Sequence, residues 1–186
     1  QMHNSYLVVE DAEGLVLIDQ HALHERVMFE QLLKRVTAEP MERQRLLSPV
    51  IVEASAQRVA QLDEVSELCA RIGLELSPLG EQQVGVMAFP SLLFERNVEP
   101  AGFVRDLLDA VDRDGFEAGS EEALHEVLDM MACKAAVKAG DPLTSDEVDE
   151  LLRFRGEISR SASCPHGRAT TVRLSHRDLH RLFDRR

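Results

Sequence analysis

The pattern of hydrophobic and polar positions along the chain predicts mixed α and β structure. Short apolar runs at residues 6–9 and 15–18 predict two strands joined by a turn at residues 11–14. Apolar residues at helical spacing then predict a helix over residues 22–36, which Pro40 ends. An extended segment follows at residues 46–52, and helical spacing returns over residues 56–72.

The second half of the chain continues this mixture. A strand pair is predicted at residues 74–76 and 83–88, and Pro100 opens a further helix. A polar, glycine-bearing linker at 112–120 precedes a long helix at 121–139. Thr144 and Glu147 have capping-box spacing for the next helix. A strand at 170–174 and a last helix capped by Ser175 complete the prediction.

Composition narrows the class of protein. The chain has 186 residues, of which 44% are hydrophobic, enough for one sizeable core or two small ones. No apolar stretch approaches the roughly 20 residues that span a membrane. Three cysteines without disulfide-like spacing suit a reducing compartment, so we expect a cytoplasmic protein. The first residue is Gln1, which suggests a piece of a longer chain.

The charge bears on any role with nucleic acid. A net charge of −12 argues against a strong DNA-binding surface, because a protein that holds duplex DNA by its phosphates needs a basic patch. Arginines do cluster near the end of the chain, but a solvated helix face explains them equally well. If the protein acts on DNA, another component must deliver it.

Residues 19–30 concentrate polar chemistry at a predicted strand-to-helix junction. His21 and Glu25 are four residues apart and therefore share one helix face, and Asp19 stands just before the helix. Two carboxylates and an imidazole at one point suit a divalent metal such as zinc or manganese. Alternatively, Asp19 caps the helix, and His21, Glu25 and Glu30 form a solvated face.

Two other places supply softer ligands. Cys164 and His166 flank Pro165 in a predicted tight loop, where both can reach one ion. Cys133 lies in a helical segment, and such a cysteine is most often a small buried hydrophobe. The same interpretation applies to Cys69.

Four ordered motifs resemble those of MutL-type DNA mismatch repair proteins. Asp19-Gln20-His21-Ala22 followed by Glu25 and Glu30 is similar to their endonuclease motif. The companion motifs are Ala132-Cys133-Lys134 with Gly140-Asp141, then Cys164-Pro165-His166-Gly167-Arg168, then Phe183-Asp184-Arg185. The chain resembles the bacterial C-terminal domain over nearly its whole length. One departure is Ala169, where the family usually has proline.

The resemblance implies a metal-dependent endonuclease that nicks one strand of duplex DNA. Asp19 and Glu25 would be catalytic, and the metal ligands would be His21, Glu25, Cys133, Cys164 and His166. Glu30, Lys134 and Arg168 would have supporting roles. Zinc would be structural or regulatory and manganese would drive cleavage. ATP would act only through a missing N-terminal domain.

The resemblance also implies partners and a location. The expected partners are a second copy of the chain, weakly bound double-stranded DNA, the bacterial sliding clamp, and a mismatch-recognition protein reached through the full-length protein. No membrane partner is expected. The expected location is the bacterial cytoplasm in association with the nucleoid. The alternative function is a non-catalytic dimerisation module with a structural or regulatory zinc site, and a purely structural site has no need of Asp19.

Residues 44–49 have the spacing of peptides that dock on the sliding clamp. An extended peptide would place Leu46 and Leu47 in an apolar pocket while Gln44 makes polar contacts, with Pro49 as a further anchor. Alternatively, the segment begins a strand and both leucines belong to the core.

The three chemical motifs can meet only if the middle of the chain is a separate lobe. The predicted fold is therefore α+β: residues 1–52 and 121–186 form an inner dimerisation lobe with a mixed sheet and helices, and residues 53–120 form an inserted outer α/β lobe. We expect apolar helix positions of the inner lobe to form the dimer surface. These positions are Leu124, Val127, Leu128, Met130, Met131, Leu151 and Leu152.

Overall fold

A computed structural model describes residues 1–137, 140–158 and 169–185. Its elements, in chain order, are β1 (Tyr6–Asp11), β2 (Gly14–Asp19), α1 (Gln20–Ala38), β3 (Arg43–Glu53), α2 (Ala56–Ala60), α3 (Leu62–Arg71), β4 (Glu75–Gly80), β5 (Gln83–Pro90), α4 (Ser91–Glu95), α5 (Pro100–Val111), α6 (Glu121–Ala135), α7 (Ser145–Glu157), β6 (Thr171–Ser175) and α8 (His176–Leu182). This content confirms the α+β class. In the described part of the chain, no helix is both long and apolar enough to cross a membrane.

Contacts divide the chain into two compact units. The first unit contains residues 1–30 and 136–186, and the second contains residues 31–135. The predicted lobe boundaries, at 52/53 and 120/121, stay a prediction. The units differ from the predicted lobes in three elements, because strand β3, helix α6 and the second half of α1, residues 31–38, belong to the second unit.

The first unit is built on a three-stranded antiparallel sheet in the order β1-β2-β6. The sequence predicts a mixed sheet in the inner lobe, whereas the described strands of this sheet pair only antiparallel. Alternate residues of a strand point to opposite faces. One face carries Leu7, Val16 and Ile18, which are buried against Leu23 of α1 and Leu151 of α7. Thr144 and Glu147 cap α7 reciprocally, as their spacing predicts.

The second unit has its own antiparallel sheet, in the order β3-β5-β4. Its core includes an edge-to-face pair of Phe89 on β5 and Phe103 on α5, whose ring centroids are 5.7 Å apart. The predicted helix over residues 56–72 is divided at Gln61 into α2 and α3. Helix α4 has no sequence prediction, since its five residues are too few to show a period.

The predicted dimer surface on the helices is wrong for five of its seven positions, and the other two, Met130 and Leu152, are half-buried. Leu124, Val127, Leu128 and Met131 of α6 are buried within a single chain, at 3% exposure or less. Leu151 of α7 is also buried, at 4%. Apolar spacing on a helix shows that one face is covered, but it does not show whether the same chain or a second copy covers it.

Candidate metal site at the start of helix α1

Asp19 ends strand β2 and helix α1 begins at the next residue. The backbone N–H of Asp19 donates to the carbonyl of Thr170 over 2.8 Å, which ties the strand end to the segment before β6. The Oδ1 atom of Asp19 accepts a hydrogen bond from the N–H of Ala22 over 3.0 Å. The capping interpretation of Asp19 is therefore confirmed. This cap fixes the first turn of α1, on which His21 lies.

His21 and Glu25 face each other one turn apart on α1. The Nε2 atom of His21 lies 3.2 Å from Oε1 of Glu25, and Glu25 is only 2% exposed. The Nδ1 atom of His21 lies 2.9 Å from the carbonyl oxygen of Val137. A carbonyl only accepts hydrogen bonds, so Nδ1 carries the proton. In the neutral ring, the lone pair of Nε2 then points at the carboxylate.

The contact between Nε2 of His21 and Oε1 of Glu25 is favourable when a proton on the ring or a metal ion lies between the two atoms. A neutral imidazole nitrogen and a carboxylate oxygen are both acceptors, and they attract each other only through a proton or a metal ion. A metal-binding histidine commonly donates its other ring N–H to a backbone carbonyl, which fixes its tautomer and orientation. His21 has this arrangement. The burial of Glu25 also shows that the interpretation of this face as solvated is wrong for that residue.

Two further residues of the motif attach the segment after α6 to α1. The N–H of Val137 donates to Nδ1 of His24 over 3.2 Å. The buried side chain of Gln20 donates through Nε2 to the carbonyl of Asp141 over 3.0 Å. Neither side chain has a role predicted from the sequence. The spacing of His21 and His24, three residues apart on one helix face, was the available signal for His24.

The predicted supporting residues make ordinary ion pairs. Oε1 of Glu30 lies 3.4 Å from the guanidinium of Arg26, which also stands 5.7 Å from the centroid of the Phe29 ring. In the second unit, Nζ of Lys134 lies 2.5 Å from Oδ2 of Asp106. These contacts stabilise the helices that carry the motifs.

Of the remaining predicted metal ligands, Cys133 lies among the described residues, and Cys164 and His166 do not. Cys133 lies in the second unit and is exposed, so its interpretation as a small buried hydrophobe is wrong. Cys69 does fit that interpretation, because it is buried, and burial raises the pKa of its thiol to about 12. Cys164, His166 and Arg168 lie outside the described residues. Among residues 1–137, 140–158 and 169–185, no group of three or more His, Cys, Asp or Glu side chains is placed to hold a metal.

The segment that resembles a clamp-docking peptide lies on strand β3. The pairing of β3 with β5 is interrupted between Arg45 and Val50, so the intervening residues form a bulge. Leu47 is fully exposed at 108%, and Gln44 and Pro49 are also exposed. Leu46 is half-buried. The core interpretation is therefore wrong for Leu47.

The outward face of the first sheet carries a row of apolar side chains that the described residues leave partly exposed. Val8, Leu17 and Val172 stand directly opposite one another across β1, β2 and β6. Val8 is 44% exposed and Val172 is 56% exposed, and neighbouring Tyr6 is 45% exposed. A contiguous apolar patch of this kind typically marks an interaction surface. A cavity of 280 Å³ on this face is lined by Tyr6, Leu17, Val172 and the motif residue Asp19, among others.

Comparison with known families identifies the family of this chain. Residues 1–143 match the family described as the MutL C terminal dimerisation domain. The chain belongs to this family, which confirms the resemblance drawn from its motifs.

Named relatives extend the match to the whole chain. The chain is 40% identical over 186 residues to the DNA mismatch repair protein MutL of Paramagnetospirillum magneticum, and 40% identical over 190 residues to that of Phenylobacterium zucineum. It is 36% identical over 186 residues to the MutL of Brucella abortus. Each alignment covers 100% of this chain but 30% of the relative, so the chain spans about a third of the length of these curated relatives.

Proposed function

We propose that this chain is the metal-dependent endonuclease domain of a MutL-type mismatch repair protein, and that it nicks one strand of duplex DNA. The observation that supports this most directly is the pair of His21 and buried Glu25, with Nε2 and Oε1 3.2 Å apart. The chain also retains Asp19 at the junction of β2 and α1. In this proposal the domain works in the cytoplasm, in association with the nucleoid.

The donor atoms suit the metals that we propose. His21 and Glu25 supply a nitrogen and a carboxylate oxygen, which zinc and manganese both accept. Cys133, Cys164 and His166 would add softer ligands that favour zinc. We propose that zinc has a structural or regulatory role and that manganese supports cleavage. Bound metal ions would supply a hydroxide at neutral pH and stabilise charge on the phosphate.

The chain's own residues would organise that chemistry. Asp19 holds the first turn of α1 through its hydrogen bond to Ala22, and its carboxylate adds negative charge beside the site. The Val137 carbonyl orients the ring of His21. Glu25 reaches the site from within the protein, where burial strengthens its electrostatic interaction with a bound cation.

We also propose that two copies of the chain pair through the outward face of the β1-β2-β6 sheet. The row of Val8, Leu17 and Val172 supports this position, since a second copy would remove these side chains from water. The family description as a dimerisation domain supports a second copy as the occupant. An obligate interface of this kind buries about 2,000 Å² or more, so it would extend beyond the row itself.

Because of its negative charge, the domain needs a partner that brings it to DNA. A domain of net charge −12 repels the phosphate backbone, and tethering to a clamp on the duplex would raise the local DNA concentration toward the millimolar range. Exposed Gln44, which precedes the bulge, suits that docking role together with half-buried Leu46 and exposed Leu47 and Pro49 in the bulge. The mismatch-recognition protein and ATP would act through the rest of the full-length protein.

The alternative is a non-catalytic dimerisation module that holds a structural or regulatory zinc ion. The presence of Asp19 does not decide between the two functions, because Asp19 has a structural role as a helix cap. Replacement by asparagine does separate them. Asparagine caps a helix about as well as aspartate, so Asp19→Asn removes the charge and preserves the cap.

The test compares Asp19→Asn with the wild type in a full-length protein that carries this chain. We expect Asp19→Asn to retain the unfolding temperature and zinc content of the wild type and to lose manganese-dependent nicking of supercoiled plasmid. Asp19→Ala, which removes the cap as well, serves as the control for helix destabilisation. Undiminished nicking by a folded Asp19→Asn protein would refute the catalytic role of Asp19, and the absence of manganese-dependent nicking by the wild type would favour the non-catalytic alternative.

A further inference from the structure

His24 and His21 both form hydrogen bonds with the backbone of Val137. The N–H of Val137 donates to Nδ1 of His24 over 3.2 Å, and the carbonyl of Val137 accepts from Nδ1 of His21 over 2.9 Å. In an antiparallel sheet, the N–H and the carbonyl of one residue can both form hydrogen bonds with the opposite residue of the neighbouring strand. Here two imidazoles on adjacent turns of α1 take the place of the neighbouring strand.

The two bonds fix opposite tautomers. Nδ1 of His24 accepts a hydrogen bond, so the proton of the neutral His24 ring lies on Nε2. Nδ1 of His21 donates, so the lone pair of its neutral ring lies on Nε2, which faces Glu25. His24 therefore determines where Val137 lies, and Val137 determines which nitrogen of His21 is free for a metal.

We propose that His24 is a positioning residue for His21. It acts through the backbone of Val137 and keeps His21 in the tautomer and orientation that a metal ion at Nε2 requires. This inference rests on the proposed metal site. His24 has no role in that proposal, and the atom that we assign to the positioning role is its Nδ1.

Asparagine and leucine provide a matched pair of replacements for His24. The Oδ1 atom of asparagine occupies the position of Nδ1 and can accept from Val137, whereas leucine has the same branched shape and no acceptor. Leucine is the better helix former of the two. A loss of function in His24→Leu that His24→Asn does not show therefore follows from the missing acceptor and not from helix destabilisation.

The first measurement is independent of any metal. Hydrogen exchange of the Val137 amide, followed by NMR on the metal-free chain, should be slow in the wild type and in His24→Asn and should be faster in His24→Leu. Equal exchange rates in the two variants would overturn the proposed role of Nδ1.

The second measurement is zinc affinity, determined by competition with a chelating dye. We expect His24→Leu to bind zinc about 10–100-fold more weakly, which is the usual cost of losing an outer partner of a ligand. His24→Asn should stay close to the wild type. In a His21→Ala background, His24→Leu should have no further effect, because its influence passes through His21.

The outcomes separate the two levels of the proposal. If His21→Ala leaves zinc affinity unchanged, the proposed metal site is wrong, and the role of His24 is overturned with it. If His21→Ala weakens binding but His24→Leu does not, or if the two losses simply add, only the positioning role is overturned. Loss in His24→Leu, rescue in His24→Asn and no further loss in the His21→Ala background would together establish it.

Discussion

Leu47 and Val52 lie on the same strand but should respond in opposite ways to truncation. Leu47 is 108% exposed in the bulge of β3, whereas Val52, on the same strand, is buried at 1% exposure. Val52→Ala removes two buried methyl groups, each worth about 0.8 kcal/mol, and leaves a cavity that adds to the loss. We expect a total destabilisation of about 2–3 kcal/mol. Leu47→Ala should change stability by less than about 0.5 kcal/mol.

Thermal unfolding followed by circular dichroism resolves this difference. For a chain of this size, 1 kcal/mol corresponds to about 2–4 °C in Tm, so Val52→Ala should lower Tm by about 4–12 °C and Leu47→Ala by no more than about 2 °C. A decrease for Leu47→Ala as large as that for Val52→Ala would show that the bulge is packed, and it would refute the docking argument. With stability unchanged, loss of clamp-stimulated nicking in the Gln44→Ala, Leu47→Ala double variant is attributable to docking.

Three other predictions follow from separate parts of the structure. Charged replacements at Val8 and Val172 should convert a dimer into a 20.8 kDa monomer in light scattering, whereas Ile51→Glu, equally exposed on β3, should not; a wild-type monomer would contradict the dimer proposal. Replacing Cys164 and His166 by alanine should strip zinc, measured by elemental analysis, and full retention would place the zinc elsewhere. Hydrogen bonding to Arg173 lowers the pKa of Asp11, so Arg173→Gln should raise that pKa toward 3.8 in an NMR titration, and an unchanged value would refute this cause. Because the pKa is lowered on folding, the pair's contribution to stability is present above about pH 3.8 and is lost as the pH falls through the folded-state pKa.

The strands and capped helices were predictable because their signals are local. The runs at 6–9 and 15–18 lie within β1 and β2, and Thr144 and Ser175 cap the helices that their spacing predicts. The break at Gln61 was not predictable from periodicity, because apolar residues on both sides of it keep helical spacing. The end of α6 at Ala135 was missed for a similar reason, since alanines continue beyond it.

The candidate site was predictable only in part. The four-residue spacing of His21 and Glu25 places both side chains on one face, and the structure shows them together. The contacts of Val137 with His21 and His24 join residues more than 110 positions apart, and no local pattern encodes them. The position of the proposed dimer surface was not predictable for the same reason. Apolar positions on α6 and on the outward face of β2 look alike in sequence, and only the folded structure shows which of them the described residues bury.

The most direct test of the central claim is manganese-dependent nicking by Glu25→Gln in a full-length protein that carries this chain. Glutamine preserves the shape of this buried side chain and removes its charge. We expect nicking to fall by at least about 100-fold while the unfolding temperature stays near that of the wild type, because the loss of even an outer partner of a metal ligand costs about 10–100-fold. A folded Glu25→Gln protein that nicks plasmid at the wild-type rate would contradict the assignment of this site.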